Sequence, residues 1–453
     1  MTKNDKTELF ERMPVTGALA TMAIPAIMSQ LITLCYNIAD TWFIGQTANP
    51  YMVAATSLVA TVFLMTAAVS NLFGAGGGNL VVQLLGKKDE DEASKVASWS
   101  FVMAAVSSML FSLLCLVFMN PMLRFLGASN NTIGFARQYL IIVVVIGAFP
   151  TIMSNTMSYM LRNIGYSKEA SLGLAAAGVL NVILDPVFMF VLLPGGYEVI
   201  GAAIATLLSN IAAFCYYIFI YKKVQKNTIL KLPEKVEKIQ GSSRRAVFSV
   251  GLPAAFSLIL YDLTNMVINM LSASHGDIQL AAIGIVLKVE RLPLNIGIGI
   301  CMGMMPLIGY NYASKNFERM KAFFKTSRFV AIAIALVCVG FYYILASEVI
   351  GLFISDIETV SYGTEFLKAR CFSTPFMILS FHMVHFMQAT GRGKISFYLA
   401  VIRQLCLNIP LLLVLNYFFG MTGIIWTQLT ADFINTVISY VIYYKEIRNI
   451  EEG

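Results

Sequence analysis

Two acidic residues stand where an acid is costly. Asp185 closes the segment Asn181-Val182-Ile183-Leu184-Asp185-Pro186 inside an apolar run from Leu172 to Leu193, and Asp40 lies in Tyr36-Asn37-Ile38-Ala39-Asp40-Thr41 near the end of another. An ionisable side chain at bilayer depth is rare and marks an ion or substrate path, so each asks for partners. Residues four apart share a helix face, which pairs Asn181 with Asp185 and Tyr36 with Asp40. Pro186 has no N–H, so the carbonyl of Val182 loses its helical donor. Thr206, in Gly201-Ala202-Ala203-Ile204-Ala205-Thr206, stands at comparable depth. Such a set suits two ligands. Burial and a like-charged neighbour favour a protonated carboxyl, which would make a proton carrier; alternatively the oxygens bind sodium. A static hydrogen-bonded network is the bland alternative. Pro25 removes a backbone hydrogen bond from the helix carrying Asp40, so Pro25 and Pro186 are candidate hinges.

The elements that must hold these residues are membrane helices. In 453 residues, 58% are apolar and 13% charged, with mean hydropathy +0.73, far too hydrophobic for a soluble protein of this length. About 20 apolar residues span a bilayer. Twelve such windows occur, at 15–44, 52–84, 96–119, 134–161, 170–193, 199–221, 247–272, 279–308, 327–346, 362–389, 395–418 and 421–444. With both termini cytoplasmic, 25 of the 32 Lys and Arg residues fall in cytoplasmic segments, including Arg162 and the eight from Lys222 to Arg245, as basic loops require. The net charge of +7 thus follows from topology and needs no nucleic acid. The bacterial cytoplasmic membrane is the expected location. The seven cysteines lie in apolar stretches without a C-x-x-C pair and read as small hydrophobes. The N-terminus lacks a cleavage pattern, so the first span is expected to be retained.

An internal repeat sets the architecture. An offset of about 228 residues lays Ile24-Pro25-Ala26 on Leu252-Pro253-Ala254, Asn37 on Asn265, and Leu180-Asn181 on Leu407-Asn408. Two parallel halves of six spans follow, because an even number returns each half to the same side. The expected fold is therefore an all-α polytopic membrane protein of twelve transmembrane helices in two pseudo-symmetric six-helix lobes. The first lobe takes residues 1–221, a basic linker with Pro233 takes 222–246, and the second lobe takes 247–453.

The second half carries a different set of charges. Asp262, Lys288, Glu290, Arg291, Lys368, Arg370, Arg403 and Asp432 fall within spans. They either line an inter-lobe cavity or neutralise one another, with Asp262 and Glu290 offsetting nearby bases. The second use is favoured, because unpaired charge at this depth is costly. His382 and His385 have H-x-x-H spacing but lack a third ligand, so a polar cavity lining is expected and no metal site. Gly74-Ala75-Gly76-Gly77-Gly78 interrupts a membrane helix, where small residues allow close packing; a nucleotide loop would follow a strand. Asn37, Asn155, Asp262, Lys288, Glu290, Arg291, His385 and Met305 are the candidate substrate-cavity residues. Flexible Met side chains suit adaptable binding, though most of the 24 fill core gaps.

Several ordered segments carry a family resemblance. Pro25 with Asp40-Thr41-x-Phe43-Ile44-Gly45, Asn71-Leu72-Phe73-Gly74, Leu84 to Asp89, Leu180 to Pro186, and Val199 to Ala203 leading to Thr206 occur in the first half; Pro306-Leu307-Ile308-x-Tyr310-Asn311 and Gln388-Ala389-Thr390-Gly391 occur in the second. In this the chain resembles the MATE (multidrug and toxic compound extrusion) transporters, most closely the drug exporters of Gram-positive bacteria. The resemblance implies a V-shaped pair of lobes and export of small amphipathic organic compounds, often cationic, in exchange for H+ or Na+, with no other cofactor. It implies a cation-coupling site at Asp40, Asn181, Asp185 and Thr206, with Tyr36 and Tyr139 nearby. Some relatives carry a Glu in the seventh span and an Asp in the tenth. Here Asp262 lies only near the first position and Lys368 and Arg370 occupy the tenth span, so a second-lobe sodium site of that kind is not expected. A monomer in the lipid bilayer, without enzymatic activity, is the expected form. Two other classes stay open: a flippase or exporter of an anionic lipid-linked substrate, which Lys288, Arg291 and Arg403 would serve, and, far less favoured, a membrane-embedded enzyme or receptor, for which the sequence offers no nucleophile–base set or complete metal site.

Overall fold

The apolar runs form helices throughout, and among the described residues there is no strand. The computed structural model describes residues 8–47, 49–231 and 238–452, with side chains as far as 448. Pro233 and the middle of the linker, like Lys3, Lys6 and Lys235, lie outside the described residues.

Six helices make the first lobe: α1 (Val15–Gly45), α2 (Pro50–Gly86), α3 (Glu90–Val117), α4 (Ile133–Ile146 and Ala148–Asn163), α5 (Ser167–Leu192) and α6 (Glu198–Val224). The second lobe has α7 (Gly241–Ala273), α8 (Asp277–Ala313), α9 (Phe317–Ile344), α10 (Ile357–Arg370 and Thr374–Ala389), and α11 and α12 on either side of Gly420 within Gly393–Arg448. Each of the twelve expected spans falls on one of these helices. Among the described residues nine helices pass as spans unaided, because α4 and α10 are interrupted and α11 runs into α12 across the positive φ of Gly420. The helices of the linker's two ends reach further than the apolar windows, to Val224 and from Gly241.

The interruptions have local causes. In α4 a π-helical stretch, Ile141–Ile146, ends at Gly147, and the two parts differ in direction by 46°. A Cβ on Gly147 would sit 2.4 Å from the carbonyl oxygen of Val143, so only glycine tolerates this bend. In α5 the α-helix stops at Pro186 and continues as a π-helix, Val187–Leu192. The missing proline N–H cannot close the ordinary turn, and π segments concentrate at functional sites.

The lobes join at one end only. α1 packs on α8 and α2 packs on α7, and a mixed core of Leu19, Met22, Met304, Leu307 and Phe323 spans the seam. At the other end the cores are separate: Ile44, Val59, Tyr139 and Val199 belong to the first lobe, and Ile268, Val286, Leu367 and Leu412 to the second. Hydrogen bonds between the lobes gather in the joined half, as in Asn79 Nδ2 to the Gln388 carbonyl (2.7 Å) and Gln83 Nε2 to the Ala389 carbonyl (2.8 Å). This half carries the basic loops. Gly76 makes the seam possible, since a Cβ there would meet the Val247 carbonyl oxygen at 2.4 Å; Gly77 and Gly78 serve packing within the first lobe, where a Cβ would strike Ser100 and Asn163. Close backbone approach replaces hydrophobic drive inside a bilayer.

Candidate functional site

The first lobe gathers its acids at the far end of α5 from the basic loops. Asp185 is fully buried (0% exposed). Asn181 Nδ2 donates to Asp185 Oδ1 at 3.1 Å and to Thr206 Oγ1 of α6 at 3.4 Å, so the four-residue spacing closes a hydrogen bond as the helix requires. Oδ2 of Asp185 and Oδ1 of Asp40 are buried without hydrogen-bond partners among the described residues. Tyr139 of α4 lies beside Thr206 and within electrostatic reach of Asp40, Asp185 and Tyr36. Tyr36 in turn faces Asp40, and Gly178 of α5 lets its ring pass, since a Cβ there would stand 2.8 Å from Cδ1. All six residues expected to form one cluster, contributed by α1, α4, α5 and α6, are therefore brought together.

Below this cluster, toward the basic end, the first lobe holds a cavity of about 300 Å³. Five helices line it, and three of them present polar residues at helical spacing: Gln30, Thr33 and Asn37 on α1, Thr151, Ser154, Asn155, Ser158, Tyr159 and Arg162 on α4, and Thr206, Ser209 and Asn210 on α6, while α2 adds Thr66 and α5 adds Asn181 beyond the small Ala177 and Gly178. Asn37 and Asn155 line it. Met302 of α8 touches its rim, where it accepts from Gln30 Nε2 at 3.4 Å. Arg162 was expected in a basic loop; it is instead 2% exposed and lines this cavity. The signal was present in the sequence as polar residues three and four apart along an otherwise apolar span.

The second lobe neutralises its charges. Arg370 Nε and Nη2 donate to Glu290 Oε1 and Oε2 at 2.8 and 2.9 Å, and Arg403 Nε donates to Asp432 Oδ1 at 2.6 Å, with Gln428 Nε2 on the other carboxylate oxygen at 2.7 Å. Glu290 is thus not a cavity ligand: it is buried and committed to a partner eighty residues away in α10. Asp262 lies within electrostatic reach of Arg291, while Lys288 and Arg291 are exposed. His382 Nε2 bonds Ser327 Oγ at 2.8 Å and His385 Nδ1 the Phe381 carbonyl at 2.7 Å. Met305 packs against the seam core.

Comparisons with known proteins fit this geometry. The MatE family model matches residues 25–187 and again 253–414, the same two halves that the internal repeat joins. The chain is 30% identical over 444 residues to the multidrug export protein MepA of Staphylococcus aureus, covering 98% of this chain and 96% of that protein, and equally so to MepA of Staphylococcus saprophyticus. A solved outward-facing multidrug resistance MATE family transporter of the MOP superfamily superposes with a TM-score of 0.93 over 99% of both chains at 20% identity.

Proposed function

The chain belongs to the MatE family of multi-pass membrane transporters, and from that premise we propose that it exports small amphipathic organic compounds, often cationic, in exchange for protons or sodium. The observation that carries the reading is Asp185, a fully buried carboxyl in a membrane helix whose one described partner is the amide of Asn181. Such a group is stable when it takes up a counter-ion and costly when it does not. The clustered oxygens of Asp40, Asp185, Asn181, Thr206, Tyr36 and Tyr139 offer hard ligands for a sodium ion, and the two acids offer alternative seats for a proton. The coupling ion is the one cofactor this reading requires.

The lobes meet at the basic, cytoplasmic end and part at the other, so the cleft between them faces outward. Ion entry at Asp40 and Asp185 alters the charge on α1 and α5, and α1 packs on α8 of the other lobe on both sides of Pro25, through Ala23 and Ile27. A change in the bend of α1 then acts on the seam itself. The ion shifts this equilibrium only by its difference in affinity between the two states, and substrate released outward is exchanged for an ion carried in. Arg403, which an anionic lipid-linked substrate would need, is sequestered by Asp432, so export of organic compounds is the better reading. Proteoliposomes holding the purified full chain, given a pH or sodium gradient, test it: accumulation of an ethidium-type dye against its gradient is expected, and dye movement indifferent to both gradients would refute the exchange.

A further inference from the structure

The cavity beneath the acid cluster ends on a charge that the exchange mechanism does not use. Arg162 is 2% exposed, and its Nε, Nη1 and Nη2 have no hydrogen-bond partner among the described residues. A guanidinium stays charged at any physiological pH, and an uncompensated buried charge is costly. The ionisable side chains beside it are phenols, Tyr159 and Tyr217. No acid lines the cavity, and the remaining polar lining is hydroxyl and amide. At 1.5 Å per residue, the α5 wall from Ala170, level with Ser158, to Asn181 runs about 16 Å. The carboxyl cluster therefore lies just beyond one end of this space, behind Asn181 and Thr206, and the other end holds a cation with free donors.

We propose that Arg162 is an anion subsite: it takes a carboxylate, or an oxyanion of similar shape, presented by an amphipathic substrate that enters past Met302 and Asn37. The fork of a guanidinium matches two carboxylate oxygens, and Asn155 adds an amide donor on the same helix face, while the Ser154 and Ser158 hydroxyls donate to the Thr151 and Ala170 carbonyls. Substrates carrying both a cationic and an anionic group would then span the cavity, with the cation toward the acid cluster. The repeat supports a ligand role over a packing role: Gly165 and Gly391 end the corresponding helices with positive φ, and Gln388, like Arg162 three residues before that glycine, is bonded to Ser396 at 3.1 Å and has no excess charge to satisfy. The inference rests on the export reading for its substrate class, while its test needs no gradient.

Binding to the full chain in detergent is measured for a rhodamine with a free carboxyl and for the methyl ester of the same dye. Wild type is expected to prefer the acid, and Arg162→Gln to bind the acid at least about tenfold more weakly while holding the ester within about twofold. Arg162→Lys should restore part of the preference. Should Arg162→Gln not fold, wild type alone decides: benzoate in millimolar excess is expected to displace the acid and not the ester. Displacement by chloride as effectively as by benzoate would mean a free-anion site and overturn the substrate assignment; equal loss of both dyes, or an unchanged preference, would overturn the subsite. Asp185→Asn should keep the acid preference. A chain that shows the preference yet fails gradient-driven transport would refute the exchange mechanism alone.

Discussion

Where the first lobe buries Asp185 against Asn181, the second sets Leu412 at the repeat-equivalent position and fully buries its side chain in an apolar core. The amide survives as Asn408, which donates to Gln404 Oε1 at 2.9 Å, and Gln404 also accepts from Thr264, the counterpart of Tyr36. The charges that the second lobe does bury are satisfied in pairs, Arg370 with Glu290 and Arg403 with Asp432. The two scaffolds are copies, yet one carries acids without bases and the other carries closed ion pairs. A closed pair fixes a structure, whereas an acid lacking a base needs something from solution. On this account, ion exchange belongs to the first lobe and rigidity to the second.

Four substitutions would break or sharpen that contrast. The largest effect is expected at Asp432→Asn, which leaves Arg403 buried and uncompensated, at a cost of about 3–5 kcal/mol. A thermal melt of the purified protein checks it, and adding Arg403→Gln should recover most of the loss; an Asp432→Asn protein of normal stability but without ion coupling would move the chemistry into the second lobe. Thr206→Ala removes one long hydrogen bond, about 0.5–1.5 kcal/mol, and should raise the ion concentration for half-maximal transport by up to about tenfold. Asp185→Asn should leave the melting behaviour within about 1 kcal/mol of wild type, since the amide keeps a bond to Asn181 and removes a charge; a collapse like that of Asp432→Asn would make the first-lobe acids structural too.

The smallest effect lies outside the membrane. Asp356 caps the start of α10, accepting from Thr359 N at 2.9 Å and from its hydroxyl at 2.7 Å, and these bonds hold its carboxyl below the ordinary carboxylate range. A depressed carboxyl stabilises the fold above its unfolded pKa and loses that contribution as pH falls through the folded value. Ser129, its counterpart in the first lobe, accepts from Thr132 N at 3.3 Å without a titrating charge. Asp356→Asn should therefore flatten the acid limb of stability against pH, and Ser129→Ala should leave it unchanged in shape.

The sequence showed the fold through its repeat and its apolar windows, because membrane helices must satisfy their backbones within themselves. Asp40 and Asp185 were visible because acids in apolar runs stand out, and Asn181 followed from helix spacing. Glu290 was expected to offset nearby bases or to line the cavity, with Lys288 and Arg291 as its sequence neighbours; its actual partner, Arg370, is brought close only by the packing of α8 and α10. Arg162 was missed because it sits at the end of a span, where a base ordinarily belongs to the loop. The bend at Gly147, which turns the lower half of α4 and its polar stripe into the lobe, gives no sign in composition or periodicity.

The central claim is that the first-lobe acids carry the coupling ion, and substrate-driven ion movement tests it most directly. Proteoliposomes containing a pH-sensitive or sodium-sensitive reporter are given dye, and ion flux is followed for wild type, Asp185→Asn and the Arg403→Gln with Asp432→Asn double variant at equal folded protein. The account predicts ion flux in wild type, flux in the double variant, and none in Asp185→Asn even though it still binds dye. Undiminished flux in Asp185→Asn, or its loss only in the double variant, would contradict it.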